Sequence, residues 1–197
     1  MSRLDDLTTA MFAAWVVSEV AIGLVNAVNR LRGRAETEDR FSYLAVSFAV
    51  LVTVFLAVTA WQGHGLIAGF GSAGALRPLL GWVGCACLVV GIAIRLAAVA
   101  TLRRQFTTMV AIVAQHRLVD SGLYRRVRHP AYLGLLLSLL GFGLCSGNWV
   151  SLAVAAGLPF AAIVYRIRVE ERALLRHFGP AYAEYAGRTQ RLVPGIY

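Results

Sequence analysis

Three predominantly apolar runs, each as long as a lipid bilayer is thick, constrain what this chain can fold into. They cover residues 8–28, 41–61 and 79–100. A helix that crosses a membrane needs roughly 20 consecutive apolar residues. The hydrophobic share of the whole chain, 58%, exceeds the roughly 45–50% of soluble domains. We therefore predict an all-α integral membrane protein.

A fourth apolar stretch, 132–165, is too long for one crossing and is interrupted by Cys-Ser-Gly-Asn at 145–148. Serine, glycine and asparagine favour turns, so this stretch predicts two helices in a tight hairpin. The chain then has about five transmembrane helices in a single membrane domain, 1–197. Three spans lie in 8–100. A polar loop, the hairpin and a helical C-terminal segment occupy 101–197.

The arginines predict the orientation of these helices. All 19 basic residues are arginine. With five crossings, the loops on one side of the membrane carry 16 of them and the other side carries two. Cytoplasmic loops are enriched in positive charge, so we expect the N-terminus to be extracytoplasmic and the C-terminus cytoplasmic. Because the arginines lie in loops and not along one helical face, the net charge of +9 does not indicate a nucleic-acid partner.

Two further patterns carry no chemistry. Residues 69–74 match G-x-G-x-x-G, but no strand precedes them and no acidic residue lies about 20 positions later, so a flexible turn is expected instead of a nucleotide site. The cysteines, like the histidines, lack metal-ligand spacing, and we interpret them as packing residues in a protein without a metal. They are Cys85, Cys87 and Cys145.

Glu19 and Arg95 are ionisable residues within the first and third spans. Such residues inside a membrane either serve function or pair with one another. A structural role is favoured for Arg95, and both roles stay open for Glu19.

The stretch 116–134 gathers arginines, histidines, glycines and tyrosines just before an apolar helix. Pro130 suits a first helical turn, and the free N–H groups there attract anions. The hairpin returns a second polar group, Arg166, Glu170 and Glu171, to the same side of the membrane. Together they predict a ligand pocket at the membrane boundary. The alternatives are a positively charged helix anchor and a salt-bridged helix next to the membrane.

These residues resemble a known signature. The pattern His116-x-Leu-Val-x-x-Gly122-x-Tyr124-x-x-x-Arg128-His129-Pro130-x-Tyr132-x-Gly134 is similar to that of the isoprenylcysteine carboxyl methyltransferase family. The tail agrees, with Glu170-Glu171, Phe178-Gly179-x-x-Tyr182-x-x-Tyr185 and Pro194.

The resemblance implies an integral membrane enzyme that uses S-adenosyl-L-methionine to methylate the carboxylate of a lipophilic, prenyl-like acceptor taken from the membrane. It places around the cofactor the residues His116, Leu118, Val119, Gly122, Tyr124, His129, Tyr132 and Glu171. The catalytic group would be Arg128, Arg166 and Glu170, with the two arginines holding the acceptor carboxylate. The sequence does not decide whether Glu170 or Glu171 binds the ammonium group of the cofactor and which one holds an arginine.

Two departures leave alternatives open. Leu123 stands where many family members have proline. The all-arginine composition favours a prokaryotic plasma-membrane protein, whose acceptor would be another lipophilic carboxylate or a lipid amine, as in a phospholipid N-methyltransferase. An NADPH-dependent reductase of the sterol reductase type is similar over Arg-His-Pro-x-Tyr, but it has asparagine where this chain has Ala131. A scaffold that keeps the fold without turnover is the non-enzymatic alternative.

Overall fold

The protein is almost entirely helical. The computed structural model describes residues 3–32, 36–39, 41–64, 70–102, 110–112, 118–193 and 195. The helices in these ranges are α1 (Arg3–Arg32), α2 (Phe41–Trp61), α3 (Arg77–Leu102), α4 (Pro130–Cys145), α5 (Trp149–Phe178) and α6 (Pro180–Arg188). Short 3₁₀ turns form at Gly74–Leu76 and Gly122–Arg125.

Four of these helices, α1, α2, α3 and α5, are long and apolar enough to cross a membrane. The outward face of α2 is apolar, with Phe48, Leu51 and Phe55 each more than 60% exposed, and such a surface requires lipid around it. The predicted helical membrane fold is therefore confirmed. Helix α4 has 16 residues, fewer than the roughly 20 of a full crossing, so the count of five spans stays a prediction.

The predicted hairpin joins α4 to α5. Gly147 turns the chain with a φ of 62°, which glycine adopts without steric cost. Asn148 then caps α5: its Oδ1 accepts hydrogen bonds from the N–H groups of Val150 and Ser151, at 3.0 and 3.1 Å. Helix α5 continues past residue 165 to Phe178, and the charged segment that follows the apolar run is therefore part of the same helix.

A small antiparallel ribbon was not predicted. Strand β1 (Glu36–Asp39) pairs with β2 (Val110–Ile112), where the sequence indicated irregular loops. Neither the two-residue alternation of a strand nor a turn signal marks segments as short as these. Their pairing satisfies backbone N–H and C=O groups between two long connections on the same side of the helices.

Helices α3 and α4 pack with their backbones in contact. A Cβ atom on Gly91 would lie 2.7 Å from the carbonyl oxygen of Gly134, and one on Gly84 would lie 2.8 Å from that of Gly141. The two pairs are seven residues apart on each helix, which is two turns, so the contact runs antiparallel along one face. Small residues allow this close approach between helices in lipid.

Helix α1 is attached to this pair by an aromatic contact and an ion pair. The ring of Phe12 stacks on Phe142 of α4 with centroids 4.2 Å apart. Deeper along the helix, Arg95 donates from Nε and Nη2 to the two carboxylate oxygens of Glu19, at 2.5 and 2.7 Å. Its Nη1 donates to the carbonyl oxygen of Ala131 at 3.2 Å. Glu19 and Arg95 thus pair with one another and join α1, α3 and α4.

The glycine contact gives a first prediction. Gly91→Ala should lower the free energy of unfolding by about 1–3 kcal/mol, because the new methyl group forces two backbones apart. Gly157→Ala on α5 is the matched control, since a Cβ there meets nothing within 4 Å. Thermal unfolding in one detergent measures both. Equal unfolding temperatures for the two variants would contradict the close contact.

Candidate functional site

The C-terminal segment lies beside the start of α4. The N–H of Arg128 donates to the carbonyl oxygen of Gln190 at 2.7 Å, and the N–H of His129 donates to that of Arg191 at 3.0 Å. In return, the N–H of Gln190 donates to the carbonyl oxygen of Arg126 at 3.0 Å. These backbone bonds fix the Arg-His-Pro motif against the chain end.

Glu171 on α5 gathers three basic side chains at this junction. Its Oε1 accepts from Nε of Arg128 at 2.9 Å and lies 3.4 Å from Nε2 of His129, while its Oε2 accepts from Nε of Arg191 at 2.9 Å. Both carboxylate oxygens are therefore engaged by cationic or imidazole groups. Of the two adjacent glutamates, Glu171 is the one that holds an arginine.

The guanidinium of Arg128 also caps the end of α6. Its Nη1 donates to the carbonyl oxygens of Ala186, at 2.7 Å, and of Thr189. A cation at a helix C-terminus interacts favourably with the last carbonyl groups and the helix dipole. Nε and Nη1 of Arg128 thus bind the protein itself, which leaves Nη2 without a hydrogen bond to a described residue.

Arg166 belongs to a second, more deeply buried polar group. Its side chain is on α5, the residue is only 2% exposed, and its Nη1 donates to Oγ of Ser42 on α2 at 2.6 Å. Its Nε donates to the hydroxyl of Tyr132 on α4 at 3.1 Å, and this hydroxyl donates to Oε2 of Glu170 at 2.8 Å. Hydrogen bonds of this kind are needed to keep a charge among apolar helices.

The two polar groups adjoin one another. Glu170 and Glu171 are successive residues of α5, and the rings of His129 and Tyr132 stack with centroids 5.7 Å apart and 25° between their planes. The structure therefore brings together the stretch before α4 and the charged end of α5, as the sequence predicted. We call these residues the polar cluster: Ser42, Arg128, His129, Tyr132, Arg166, Glu170, Glu171 and Arg191.

Three tyrosines line the boundary between the cluster and α6. The hydroxyl of Tyr185 donates to the carbonyl oxygen of Tyr124 at 2.7 Å, and burial raises the pKa of Tyr185 to about 12. Burial, and then the carboxylate of Glu170, also raise the pKa of Tyr124 above its ordinary value. Tyr182 is 4% exposed, and its hydroxyl has no hydrogen-bond partner among the described residues. All three are neutral donors at physiological pH.

The remaining predicted residues lie before the cluster. Gly122 begins the 3₁₀ turn with a φ of 58°, while Leu118 and Val119 are half-buried in the irregular segment that precedes it. His116 lies outside the described residues.

The sequence did not reveal Ser42 or Arg191. A serine at the start of an apolar helix has the same appearance as an ordinary helix-capping residue. Arg191 belongs to a charged tail whose position depends on the tertiary fold.

Comparisons with known proteins found similar sequences and a similar solved structure. The family model for the isoprenylcysteine carboxyl methyltransferase (ICMT) family matches residues 82–176. The chain is 37% identical over 120 residues to protein-S-isoprenylcysteine O-methyltransferase A of Arabidopsis thaliana, covering 58% of this chain and 61% of that protein. It is 45% identical over 82 residues to cobalt-zinc-cadmium resistance protein CzcN of Cupriavidus metallidurans, covering 40% and 36%.

A solved structure, that of the eukaryotic intramembrane Ras methyltransferase ICMT, matches with a TM-score of 0.55 at 23% identity. The match covers 81% of this chain and 54% of that one, and it supports the fold. The chain spans less than two thirds of the length of the relatives described. These similarities favour the carboxyl methyltransferase expectation over the N-methyltransferase and reductase alternatives. The expected prokaryotic origin is not confirmed, since the relative that carries the methyltransferase name is a plant protein.

The glutamate pair yields the second prediction. Glu171→Gln should accelerate hydrogen exchange at the amides of Arg128, His129 and Gln190 by about tenfold or more, because charge-assisted hydrogen bonds contribute roughly 1.5–3 kcal/mol. Exchange followed by mass spectrometry measures it. Glu170→Gln is the control: it alters the bond from Tyr132 and leaves the three amides unchanged. Equal acceleration in both variants would exclude a specific role for Glu171.

Proposed function

Because residues 82–176 match the model of the isoprenylcysteine carboxyl methyltransferase family, we propose that the chain is a member of this family and that it methylates the carboxylate of a lipophilic, isoprenylcysteine-like acceptor. The methyl donor would be S-adenosyl-L-methionine. The observation that carries this proposal is the polar cluster, in which Arg128 and Arg166 converge with Glu170 and Glu171 beside apolar helices. A polar site at that position suits a carboxylate that arrives on an apolar tail.

The chemistry requires little acid–base assistance. A carboxylic acid with a pKa near 4 is already ionised at neutral pH, so the acceptor needs no general base. The protein has to orient the nucleophilic oxygen and exclude water from it. An arginine fork can fix a carboxylate through two hydrogen bonds. We assign this orientation to Arg166, together with Nη2 of Arg128.

The residues present also fit the proposed cofactor. When bound, it supplies an electrophilic methyl group on a cationic sulfur, and it carries an ammonium group as well. The unpartnered hydroxyl of Tyr182 offers a hydrogen bond to a polar ligand group. Since both oxygens of Glu171 are engaged by Arg128, His129 and Arg191, we propose Glu170 as the carboxylate that meets the cationic part.

The resemblance adds further residues to the proposed cofactor site. Gly122, Tyr124, His129 and Tyr132 lie at or next to the cluster. Leu118 and Val119, together with His116, would contribute from the preceding segment. Glu171 would act there by holding the position of His129 and Arg128.

We also propose an orientation in the membrane. The arginine distribution places the polar cluster and the C-terminus on the cytoplasmic side and the N-terminus outside. A water-soluble cofactor then enters from the cytoplasm, and the acceptor enters from the bilayer.

The proposal is tested by supplying purified protein with methyl-labelled S-adenosyl-L-methionine and a farnesylated cysteine. We expect a labelled product that mild base hydrolyses, because methyl esters are base-labile and methylamines are not. Arg166→Lys should lower kcat/KM for the acceptor by about ten- to hundredfold, since it loses the guanidinium fork. Arg172→Lys, an exposed arginine on the same helix, is the control and should match the parent protein.

Two results would contradict methyl transfer. One is failure of the protein in detergent to bind S-adenosyl-L-methionine. The other is binding of NADPH in its place, which would support a reductase. A base-stable methylated product would reassign the acceptor to an amine.

Tyr182 provides a separate test of the cofactor site. Tyr182→Phe removes a buried hydroxyl that has no described partner, so stability should be unchanged or slightly raised while cofactor affinity falls roughly three- to tenfold. Tyr185→Phe is the matched control, and loss of its bond to Tyr124 should cost about 1 kcal/mol of stability. Calorimetric titration and thermal unfolding separate the two effects. Intact affinity in Tyr182→Phe would remove that hydroxyl from the cofactor site.

A further inference from the structure

A second concave surface lies outside the polar cluster. It is an open groove of about 570 Å³ between α3, the 3₁₀ turn and the first turn of α4. This volume is within the roughly 300–1,000 Å³ of small-molecule sites. Its apolar wall includes Ile94, Leu123 and Leu133, and its rim carries Arg125 and Arg126. We call it the lateral groove.

The side chains of the 3₁₀ turn and of the residues after it point either into the polar cluster or toward the lateral groove. Tyr124 and His129 are buried and form the contacts of the cluster, whereas neither lines the groove. Leu123 is 39% exposed, and Arg125 and Arg126 are also exposed. The groove is therefore formed by side chains other than those of the polar cluster, although Gly122, which we assign to the cofactor site, lies at its edge.

The groove lies near the end of α3, a helix that is long and apolar enough to cross a membrane. Ile94 lies two turns before the end of α3, at the level of apolar side chains, and Leu133 lies in the first turn of α4. Arg125 and Arg126 precede that helix on the polar connection. In the proposed orientation, the wall of the groove would face acyl chains and its rim would lie at the level of lipid headgroups.

The charges on the rim are not neutralised by the described part of the chain. Neither Arg125 nor Arg126 forms an ion pair with a described carboxylate, unlike Arg128 and Arg191, which share Glu171. Two adjacent arginines attract the phosphate of an anionic lipid. We propose that the lateral groove binds one anionic phospholipid from the surrounding bilayer, with its phosphate on Arg125 and Arg126 and an acyl chain along Ile94, Leu123 and Leu133.

The same arginines could simply attract anionic membranes without selecting a lipid. The apolar wall distinguishes the two cases, because a bound lipid needs the wall as well as the charges. A substitution that fills the groove without changing charge should therefore weaken binding as clearly as a substitution that removes charge.

Native mass spectrometry of the full-length protein tests this proposal. The protein in detergent is mixed with equal amounts of phosphatidylglycerol and phosphatidylcholine that have identical acyl chains. We expect one phosphatidylglycerol to be retained in preference. Arg125→Gln/Arg126→Gln should reduce this preference about twenty-fivefold, since each arginine near an anionic headgroup contributes roughly fivefold. Leu123→Trp should reduce retention of the lipid several-fold with both charges intact.

Controls make each outcome decisive. Arg125→Lys/Arg126→Lys keeps the charge and should restore most of the preference, which excludes misfolding as the cause of its loss. Arg172→Gln/Arg176→Gln removes two charges from the end of α5 and should change nothing. Equal loss in this pair, or no preference in the parent protein, would overturn the proposal. So would displacement of the lipid by a farnesylated cysteine, which would assign the groove to the acceptor. Because the experiment measures lipid binding, its result does not depend on whether the protein transfers methyl groups.

Discussion

The backbone contact between α3 and α4 determines where the polar residues of this protein lie. Two pairs of glycines bring the helices together along one face, and at its end the side chain of Arg95 reaches both Glu19 and the carbonyl oxygen of Ala131. The first turn of α4 is thereby fixed to α1 and α3. Tyr132 lies in this turn and the Arg-His-Pro motif leads into it, so both are held in a defined position relative to α1 and α3.

The charged groups of the polar cluster, which lie among apolar helices, have two different kinds of partners. Around Glu171, a carboxylate is surrounded by two arginines and a histidine, and the chain end is held in place by the resulting bonds. Around Arg166, the partners on α2 and α4 are hydroxyl groups, and the carboxylate of Glu170 is reached through Tyr132. The first arrangement holds the segment after α6 against α4, while the second joins α2, α4 and α5 through one guanidinium.

The sequence predicted the features that depend on local patterns. Apolar runs of bilayer length, the turn at 145–148 and the motif before Pro130 are each readable within about 20 residues, and the structure has the corresponding helices, hairpin and helix start. The contact of Ser42 could not be predicted, because its partner Arg166 is more than a hundred residues away in the sequence. The contact of Arg191 could not be predicted either, because it depends on how the segment after α6 packs against α5. The sequence also did not show that Glu171 binds Arg128 and Arg191 while Glu170 accepts a hydrogen bond from Tyr132. Adjacent residues on a helix point about 100° apart, and only the packing of α4 and α6 shows which neighbour each one meets.

The segment 122–129, which consists of the 3₁₀ turn and its connection to α4, presents two surfaces with different chemistry. Tyr124, Arg128 and His129 are directed toward α5 and α6: Arg128 and His129 contact Glu171, and the carbonyl oxygen of Tyr124 accepts a hydrogen bond from Tyr185. Leu123, Arg125 and Arg126 face outward at the membrane boundary. The same few residues of backbone carry both sets, and the N–H of Arg128 in this segment is bonded to the carbonyl oxygen of Gln190. A lipid in the proposed groove would therefore stabilise the folded protein, since any ligand that binds the folded state alone shifts the equilibrium toward it.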